Sequence, residues 1–78
     1  MTKERIKGTV RWWKDEKGYG RITGDDGYVY FCHFSMVDRA EADENGYLSL
    51  RQGERVEFLP VPGGGARGRH SAYNVRRI

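Results

Sequence analysis

Hydrophobic and polar residues alternate with a period of two in several short segments of the chain, the pattern of half-buried β-strands. Val56 and Phe58, for example, alternate with Arg55 and Glu57. Other segments are dense in β-branched and aromatic residues, which favour strands. The pattern predicts five strands, over residues 5–14, 18–24, 28–34, 54–61 and 69–77.

Turn-forming residues separate the predicted strands. Residues 15–18 (DEKG) link the first two strands, and Asp26-Gly27 is a strong signal for a hairpin between the second and third. Three consecutive glycines predict a flexible loop before the fifth strand. Pro60 and Pro62 should end the fourth strand or place it at an edge, because proline has no backbone N–H to donate.

The connection over residues 35–53 is longer than the others. Asp38 is a candidate cap for a single turn of helix, but no apolar stripe follows it, so we expect mostly loop. Five short strands joined by hairpins in a chain of this length predict an all-β fold, namely a small, partly open antiparallel barrel.

Composition narrows the class of protein. Ten of the 78 residues are aromatic, whereas disordered chains are poor in aromatic residues, so we expect a folded domain. The single cysteine, Cys32, excludes an internal disulfide and a cysteine-based metal cluster. No apolar run approaches a membrane span, and the first five residues are too polar for a signal peptide. We therefore expect a cytoplasmic protein with no membrane partner.

Charge is distributed unevenly along the chain. Residues 1–21 carry seven basic and three acidic residues, residues 22–61 carry three arginines and eight acids, and residues 62–78 carry four arginines and no acid. If the two basic ends meet in space, they form a basic face suited to a polyanion. Scattered basic residues also keep small proteins in solution, and charge alone does not decide between these two interpretations.

Two segments resemble known binding motifs. Residues 17–22 (KGYGRI) and 30–35 (YFCHFS) resemble the two ribonucleoprotein-type motifs of the cold-shock domain, whose typical forms are KGFGFI and VFVHFS. Residues 8–14 (GTVRWWK) are similar to the family's GKVKWFN in the first strand. Either motif alone would be weak, but both together with the preceding tryptophan are specific.

The resemblance continues through residues 53–58 and 72–75, which match the family's fourth and fifth strands, and it covers about residues 6–77. It implies a single domain over residues 1–78 with the family's five-stranded oligonucleotide/oligosaccharide-binding (OB) barrel. It also implies binding of single-stranded RNA and DNA without catalysis. The family's role would be that of an RNA chaperone with an influence on transcription or translation. No cofactor, no metal and no small-molecule substrate are expected, and we expect a monomer.

The alternation supports nucleic-acid binding independently. It places Tyr19 and Arg21 on one face of the second strand, and Phe31 and His33 on one face of the third. If the two strands pair, these four side chains share a surface on which unpaired bases can stack in a positive field. Gly20 inside a strand indicates close approach of a ligand or a sharp bend in the barrel.

The adjacent residues Trp12 and Trp13 should point to opposite faces of the first strand. The resemblance makes Trp12 the exposed, base-stacking residue and Trp13 largely core. Strict alternation would instead put Trp12 on the same side as Ile6 and Val10. The assignment therefore requires a bulge or bend in this strand.

Further binding residues follow from the resemblance and from charge. The family uses the position of Phe34 for binding, and Tyr47 in the long connection is explained equally well as a base-stacking residue or as an anchor for its loop. The candidates for phosphate contacts are Lys7, Arg11, Lys14, Lys17 and Arg67, although each alone is also explained as a solvated surface charge. The complete predicted binding set is Lys7, Arg11, Trp12, Lys14, Lys17, Tyr19, Arg21, Phe31, His33, Phe34, Tyr47 and Arg67.

Several positions depart from the family pattern. Arg21 stands where the family usually has phenylalanine, and its guanidinium is suited to stacking or to a phosphate contact, of which we favour the second. Tyr30 and Tyr73 replace smaller residues, and both are expected to point inward with partners for their hydroxyls. Lys14 replaces an asparagine and adds charge. Cys32 is expected to be a buried core residue rather than a nucleophile.

Two other function classes remain as alternatives. A small nuclease needs an acid and base pair or a metal site, but only His33 and His70 are available and the carboxylates lack ligand-like spacing. A peptide-docking barrel would use the same aromatic residues. The basic ends give no reason to favour it.

Overall fold

Five strands form a closed barrel in the computed structural model, which describes residues 5–61 and 70–78 of the chain. The strands are β1 (Ile6–Lys14), β2 (Tyr19–Gly24), β3 (Val29–His33), β4 (Arg55–Val61) and β5 (Ser71–Arg77). Their order around the barrel is β1-β2-β3-β5-β4. The predicted all-β, five-stranded fold is confirmed, and each strand lies within one or two residues of its predicted bounds.

The junction between β3 and β5 closes the barrel, which the sequence had predicted to be partly open. These two strands run parallel, with Phe31 opposite Ser71, whereas every other pair is antiparallel. The Phe31 backbone N–H donates to the His70 carbonyl at 2.9 Å. The pairing is short and joins two strands that are distant in sequence, so the alternation of hydrophobic and polar residues does not predict it. Pro60 is next to last in β4, near the predicted strand end, and Pro62 lies outside the described residues.

A tight turn joins β2 to β3, as the Asp26-Gly27 pair predicted. Gly27 has a positive φ of 93°, a conformation that glycine adopts without steric cost. The Asp26 carboxylate accepts a hydrogen bond from the Tyr28 backbone N–H at 3.1 Å and another from the Tyr30 hydroxyl at 2.5 Å. The turn is thereby fastened to the first residues of β3.

The core draws side chains from every strand and from the long connection. Its ten buried residues are Val10, Ile22, Tyr30, Cys32, Val37, Leu50, Val56, Phe58, Ala72 and Val75. Tyr30 and Cys32 point inward, as predicted. The Tyr30 ring lies 4.8 Å from the Phe58 ring, and its hydroxyl reaches Asp26 at the rim of the barrel. Burial, together with the Asp26 carboxylate, raises the pKa of Tyr30 to about 12.

Tyr73 does not point inward, so that prediction is wrong. Its side chain is 51% exposed, and the inward residues of β5 are Ala72 and Val75. Asn74, which lies between these two residues, has a positive φ of 52°. This irregular backbone breaks the alternation, so that successive inward side chains of β5 are three residues apart instead of two.

A bulge in β1 places the two tryptophans. Val10 pairs with Ile22, but the next registered pair is Trp12 with Arg21, so Arg11 is an extra residue. The bulge turns Trp12 to the outside, and Trp13 packs partly buried against the core. The predicted directions of Trp12 and Trp13 are thus confirmed, although Trp12 is half-buried rather than exposed, and its base-stacking role stays a prediction.

Gly20 is buried opposite Trp13, and the reason for a glycine there is internal packing. A Cβ at this position would clash with the Trp12 carbonyl oxygen and would lie 2.6 Å from the Trp13 ring. The close approach that the sequence indicated is therefore between β1 and β2 rather than between the protein and a ligand.

The long connection contains two short 3-10 helical turns, Phe34–Met36 and Arg39–Glu41. Asp38 caps the second turn by accepting a hydrogen bond from the Ala40 N–H at 2.9 Å, as predicted. Arg77 at the end of β5 holds the connection to the barrel through ion pairs with Glu41 at 3.1 Å and Glu54 at 2.8 Å.

Alkaline pH should destabilise the fold through Cys32. Burial raises the pKa of its thiol from 9.0 to about 12, so the unfolded chain releases a proton that the folded chain keeps. Its contribution to stability is complete below pH 9.0 and is lost as pH rises to about 12. We expect Cys32→Val to lessen the fall in unfolding free energy across this window by up to about 1.4 kcal/mol per pH unit. Urea unfolding at a series of pH values measures it, and equal slopes for both proteins would contradict it.

Candidate nucleic-acid interface

Three strands present a grid of side chains on the outside of the barrel. The pairing sets three cross-strand rows, one residue from each of β1, β2 and β3. The nine residues, named here the outer platform, are Thr9, Thr23 and Val29 in the first row, Trp12, Arg21 and Phe31 in the central row, and Lys14, Tyr19 and His33 in the third. The intervening β2 and β3 residues are buried. The prediction that Tyr19, Arg21, Phe31 and His33 share a face is confirmed.

Three aromatic rings form a continuous band on the outer platform. The Tyr19 ring lies 6.0 Å from Trp12 in an edge-on arrangement and 5.8 Å from Phe31 at a tilt of 37°. All three residues are half-buried, so their inner edges are supported by the barrel while ring surface remains open. Flat, supported apolar surfaces of this kind suit the stacking of unpaired bases.

A second aromatic pair lies at the end of β3. The His33 and Phe34 rings are 4.5 Å apart, and Phe34 is 44% exposed. Gly18 lies directly beneath, with φ of 72°, and a Cβ there would come within 2.7 Å of the Phe34 ring. The Nδ1 atom of His33 accepts a hydrogen bond from the Ser35 backbone N–H at 3.3 Å and lies 2.8 Å from the Ser35 hydroxyl, so the ring is held at the end of β3.

Tyr47 fastens the long connection to the turn between β1 and β2. Its hydroxyl donates to the Asp15 carbonyl at 3.0 Å, which bridges 32 positions of sequence. The predicted anchoring role is thus present in the structure. The ring is nevertheless 48% exposed, and it lines a cleft of about 270 Å³ together with Phe34, Gly18 and Leu48. A role in base stacking remains a prediction.

Cations surround the outer platform. The Lys14 ammonium lies 5.6 Å from the centre of the Trp12 ring, a cation–π contact. Lys7, Arg11 and Lys17 are exposed and form no ion pair within residues 5–61 and 70–78. Arg67 lies outside the described residues. The three described basic candidates besides Lys14 are therefore available to a polyanion.

Other arginines are paired with acids and are not part of this surface. Arg76 pairs with Asp38 at 3.3 Å, and Arg77 binds the carboxylates of the long connection. Arg55 donates two hydrogen bonds to Asp25, and its guanidinium holds the pKa of that carboxyl below its usual value. The described part of the C-terminal basic segment thus neutralises acids of the middle segment instead of joining the N-terminal cations.

Arg21 occupies the centre of the outer platform. Its neighbours in register are Trp12 on β1 and Phe31 on β3. It is half-buried, and its guanidinium makes no hydrogen bond or ion pair to any residue that the structure describes. The alternation argument for β2 therefore holds, because Arg21 faces outward.

Sequence reasoning missed several residues around the site. Thr9, Thr23 and Val29 complete the outer platform, and the period of two that identified its other members would also have found them. Tyr28 is 56% exposed and its ring meets His70 edge-on at 4.6 Å, at the opposite end of the β2–β3 hairpin. No signal in the sequence pointed to that contact, because it depends on the parallel junction of β3 with β5.

Metal coordination needs a cluster of ligating side chains, and a membrane span needs a long apolar helix. Among the described residues, no group of three His, Cys, Asp or Glu side chains is placed to hold a metal ion. Within the same two ranges, none of the helices has the length and apolar character needed to cross a membrane.

Known proteins share this sequence pattern. The sequence model of the family described as the 'Cold-shock' DNA-binding domain matches residues 6–78. The chain belongs to the cold-shock domain family. The cold shock-like protein CspC of Bacillus cereus is 41% identical over 71 residues, which are 91% of this chain and 98% of that protein. The cold shock-like protein CspE of Escherichia coli strain K12 is 43% identical over 72 residues, which are 91% and 93% of the two chains.

A further relative is the cold shock protein CapB of Pseudomonas fragi, 39% identical over 59 residues that make up 76% of this chain and 78% of CapB. Membership in the cold-shock domain family supports a cold-shock-type function, the binding of single-stranded nucleic acid, and not an enzymatic one. No finding favours the nuclease or the peptide-docking alternative.

The Tyr47 anchor can be tested with a hydroxyl deletion. Tyr47→Phe removes the hydrogen bond to the Asp15 carbonyl and keeps the ring, so we expect a loss of about 0.5–1.5 kcal/mol in unfolding free energy. Amide hydrogen exchange at Gly46 and Tyr47 should also accelerate. Tyr28→Phe is the matched control, because its exposed hydroxyl has no hydrogen-bond partner among the described residues. Equal stability of the two variants would contradict the anchor.

Proposed function

We propose that this cold-shock domain protein binds unpaired RNA and DNA on the outer platform, with bases stacked on Trp12, Tyr19 and Phe31. The observation that carries the proposal is the continuous band of three half-buried rings on one face of the barrel. Each base stacked on an aromatic side chain contributes about 1–3 kcal/mol, and every base has a flat face, so sequence preference from stacking alone is modest.

The second aromatic pair extends this surface. His33 and Phe34 continue the band beyond Tyr19, and the cleft between Phe34 and Tyr47 has room for a further base. The Tyr47 hydroxyl anchors the long connection, while the ring itself stays exposed. The hydrogen bond would therefore hold the ring in a position where a base can stack on it.

The strand's phosphates would follow the cations at the rim. Lys7, Arg11, Lys14 and Lys17 are all exposed, and Arg67 in the segment before β5 completes the predicted set. Each phosphate neutralised releases counterions, so the affinity should fall with added salt, with a slope of log K of about −0.7 per contact for a single strand.

Such binding makes the protein an RNA chaperone. By binding only unpaired strands, the protein shifts the equilibrium between paired and unpaired RNA. The free energy of this stabilisation grows with the logarithm of the ratio of free protein concentration to Kd. Three stacked bases at about 1–3 kcal/mol each compare with about 1.4 kcal/mol for a base-pair step, so short hairpins are opened whereas long duplexes are not. An influence on transcription or translation follows where such hairpins control either process.

The remaining features of the proposal concern the state of the protein. Residues 1–78 form one domain that acts as a monomer, in the cytoplasm, without a cofactor or a small-molecule substrate. The support is the match of the family over residues 6–78 and an outer platform assembled within one chain.

A direct test compares single and double strands. Titration with oligo-dT should quench the fluorescence of Trp12, and saturating oligonucleotide should raise the melting temperature by linkage. A duplex of the same length should bind more weakly, because its bases are already stacked on each other. Stronger binding to the duplex, or a melting curve that oligo-dT leaves unmoved, would overturn the proposal.

Phe31→Ala tests the platform itself. We expect it to weaken single-strand binding by about 1–3 kcal/mol, the loss of one base stack, while the fold survives because Phe31 is not part of the buried core. Tyr73→Ala is the control, since it removes an exposed aromatic ring that lies outside the outer platform. Equal affinities for both variants would contradict the assignment of Phe31.

A further inference from the structure

We propose that Arg21 reads the base edge of guanine, so that the protein prefers single strands that place a guanine at the centre of the outer platform. The inference rests on the proposed function, because it assumes that bases stack on this face. It goes beyond that function by assigning a base preference to one residue.

The first observation is that Arg21 has no hydrogen-bond or ion-pair partner among the residues that the structure describes. Three arginines are half-buried within residues 5–61 and 70–78, namely Arg5, Arg21 and Arg77. Arg5 donates to the Asn74 carbonyl and to its side chain, and Arg77 donates to two carboxylates and two carbonyls. Arg21 alone of the three donates to no described residue. The guanidinium nitrogens of Arg21 are not among the buried unpartnered atoms, so they are accessible and free to donate to acceptors that a ligand supplies.

The second observation is position. The other cations of the predicted set that the structure describes are exposed, whereas Arg21 is half-buried and flanked in register by Trp12 and Phe31. Side chains opposite each other on antiparallel strands have Cβ atoms about 4.5–5.5 Å apart. A base stacked on either ring would therefore present its edge to the guanidinium, and on this ground we favour the base edge over the phosphate contact expected from the sequence.

The third observation concerns the surrounding charges. None of the nine residues of the outer platform is acidic. The Asp25 carboxylate beyond the first row is held by two hydrogen bonds from Arg55. No carboxylate within the platform therefore competes with a ligand for Arg21.

The chemistry of the guanidinium selects the base. Arginine offers five N–H donors in a fixed fork and no acceptor, so it pairs with two neighbouring acceptors on one edge. Guanine presents O6 and N7 in this way, whereas adenine offers N7 beside an amino donor, and thymine or uracil offers a carbonyl beside an N–H or a carbon. Guanine also has two fused rings, so the same base can cover an aromatic neighbour of Arg21 while its edge meets the fork.

The test uses oligonucleotides of about seven nucleotides, within the usual size of such a site, that differ only at the central base of an oligo-dT strand. A central guanine should bind about 5-fold or more tightly than all-thymine, the lower end of the discrimination that a bidentate contact gives. Inosine keeps O6 and N7 and should retain the preference. 7-Deazaguanine lacks the N7 acceptor and should lose most of it, as should adenine.

Variants identify Arg21 as the source of the preference. Arg21→Lys keeps the charge and loses the fork, so the ratio of the affinity for the central-guanine strand to that for all-thymine should fall from about 5 or more to about 1. Arg21→Phe should also abolish the preference. Arg39→Lys is the matched control, an exposed guanidinium on the second helical turn, and should leave the preference intact. Thermal melting of each variant confirms that it is folded.

Several outcomes would overturn the proposal. Equal binding of guanine and 7-deazaguanine, tighter binding of a central cytosine, or a preference that survives in Arg21→Lys each removes the guanine assignment. If Arg21→Phe instead makes the salt slope shallower by about 0.7 for every probe alike, Arg21 contacts phosphate and not a base edge. Normal binding of all-thymine in these experiments leaves the proposed function standing, whereas failure to bind any single strand overturns both.

Discussion

The pairing of β2 with β3 is the constraint on which both faces of the barrel wall depend. A slip of one residue would move Ile22 to the surface and Arg21 into the core, because the period of a strand is two. The turn that sets this register is held by the Asp26 carboxylate, which also accepts the hydrogen bond of the Tyr30 hydroxyl. A single acidic residue therefore links the turn, the buried phenol and the exposed row of Arg21.

The bulge in β1 resolves a conflict that a regular strand cannot. Val10 belongs in the core and Trp12 on the outside, yet strict alternation would give both the same direction. One extra residue, Arg11, reverses the direction between them. The bulge in turn brings Trp13 against β2 so closely that only glycine fits at position 20. The aromatic band outside and the packing inside thus depend on the same local irregularity.

Sequence reasoning recovered what local patterns encode. Alternation and turn residues gave the five strands and the shared face of Tyr19 and Phe31. The bulge was expected only because the family resemblance, against strict alternation, placed Trp12 on the outside. What it could not give depends on contacts distant in sequence or on an unusual backbone angle. Tyr73 was assigned inward because nothing in the residue order announces the positive φ of Asn74. The closure of the barrel through β3 and β5 is likewise invisible to periodicity.

The use of the basic residues also depends on contacts that the sequence does not show. Counted by segment, the C-terminal arginines seemed free to join a basic face, but Arg76 and Arg77 are used to neutralise acids of the long connection. Around the outer platform, the described cations without an ion pair are Lys7, Arg11, Lys14 and Lys17 at the rim, whose attraction to phosphate is screened by salt, and Arg21 between two rings. In the proposed binding mode, a rim of screened charges positions a strand without reading its bases, whereas the half-buried guanidinium at the centre discriminates among the bases placed against it. On that proposal, the rings and the rim supply affinity, and Arg21 supplies the base preference.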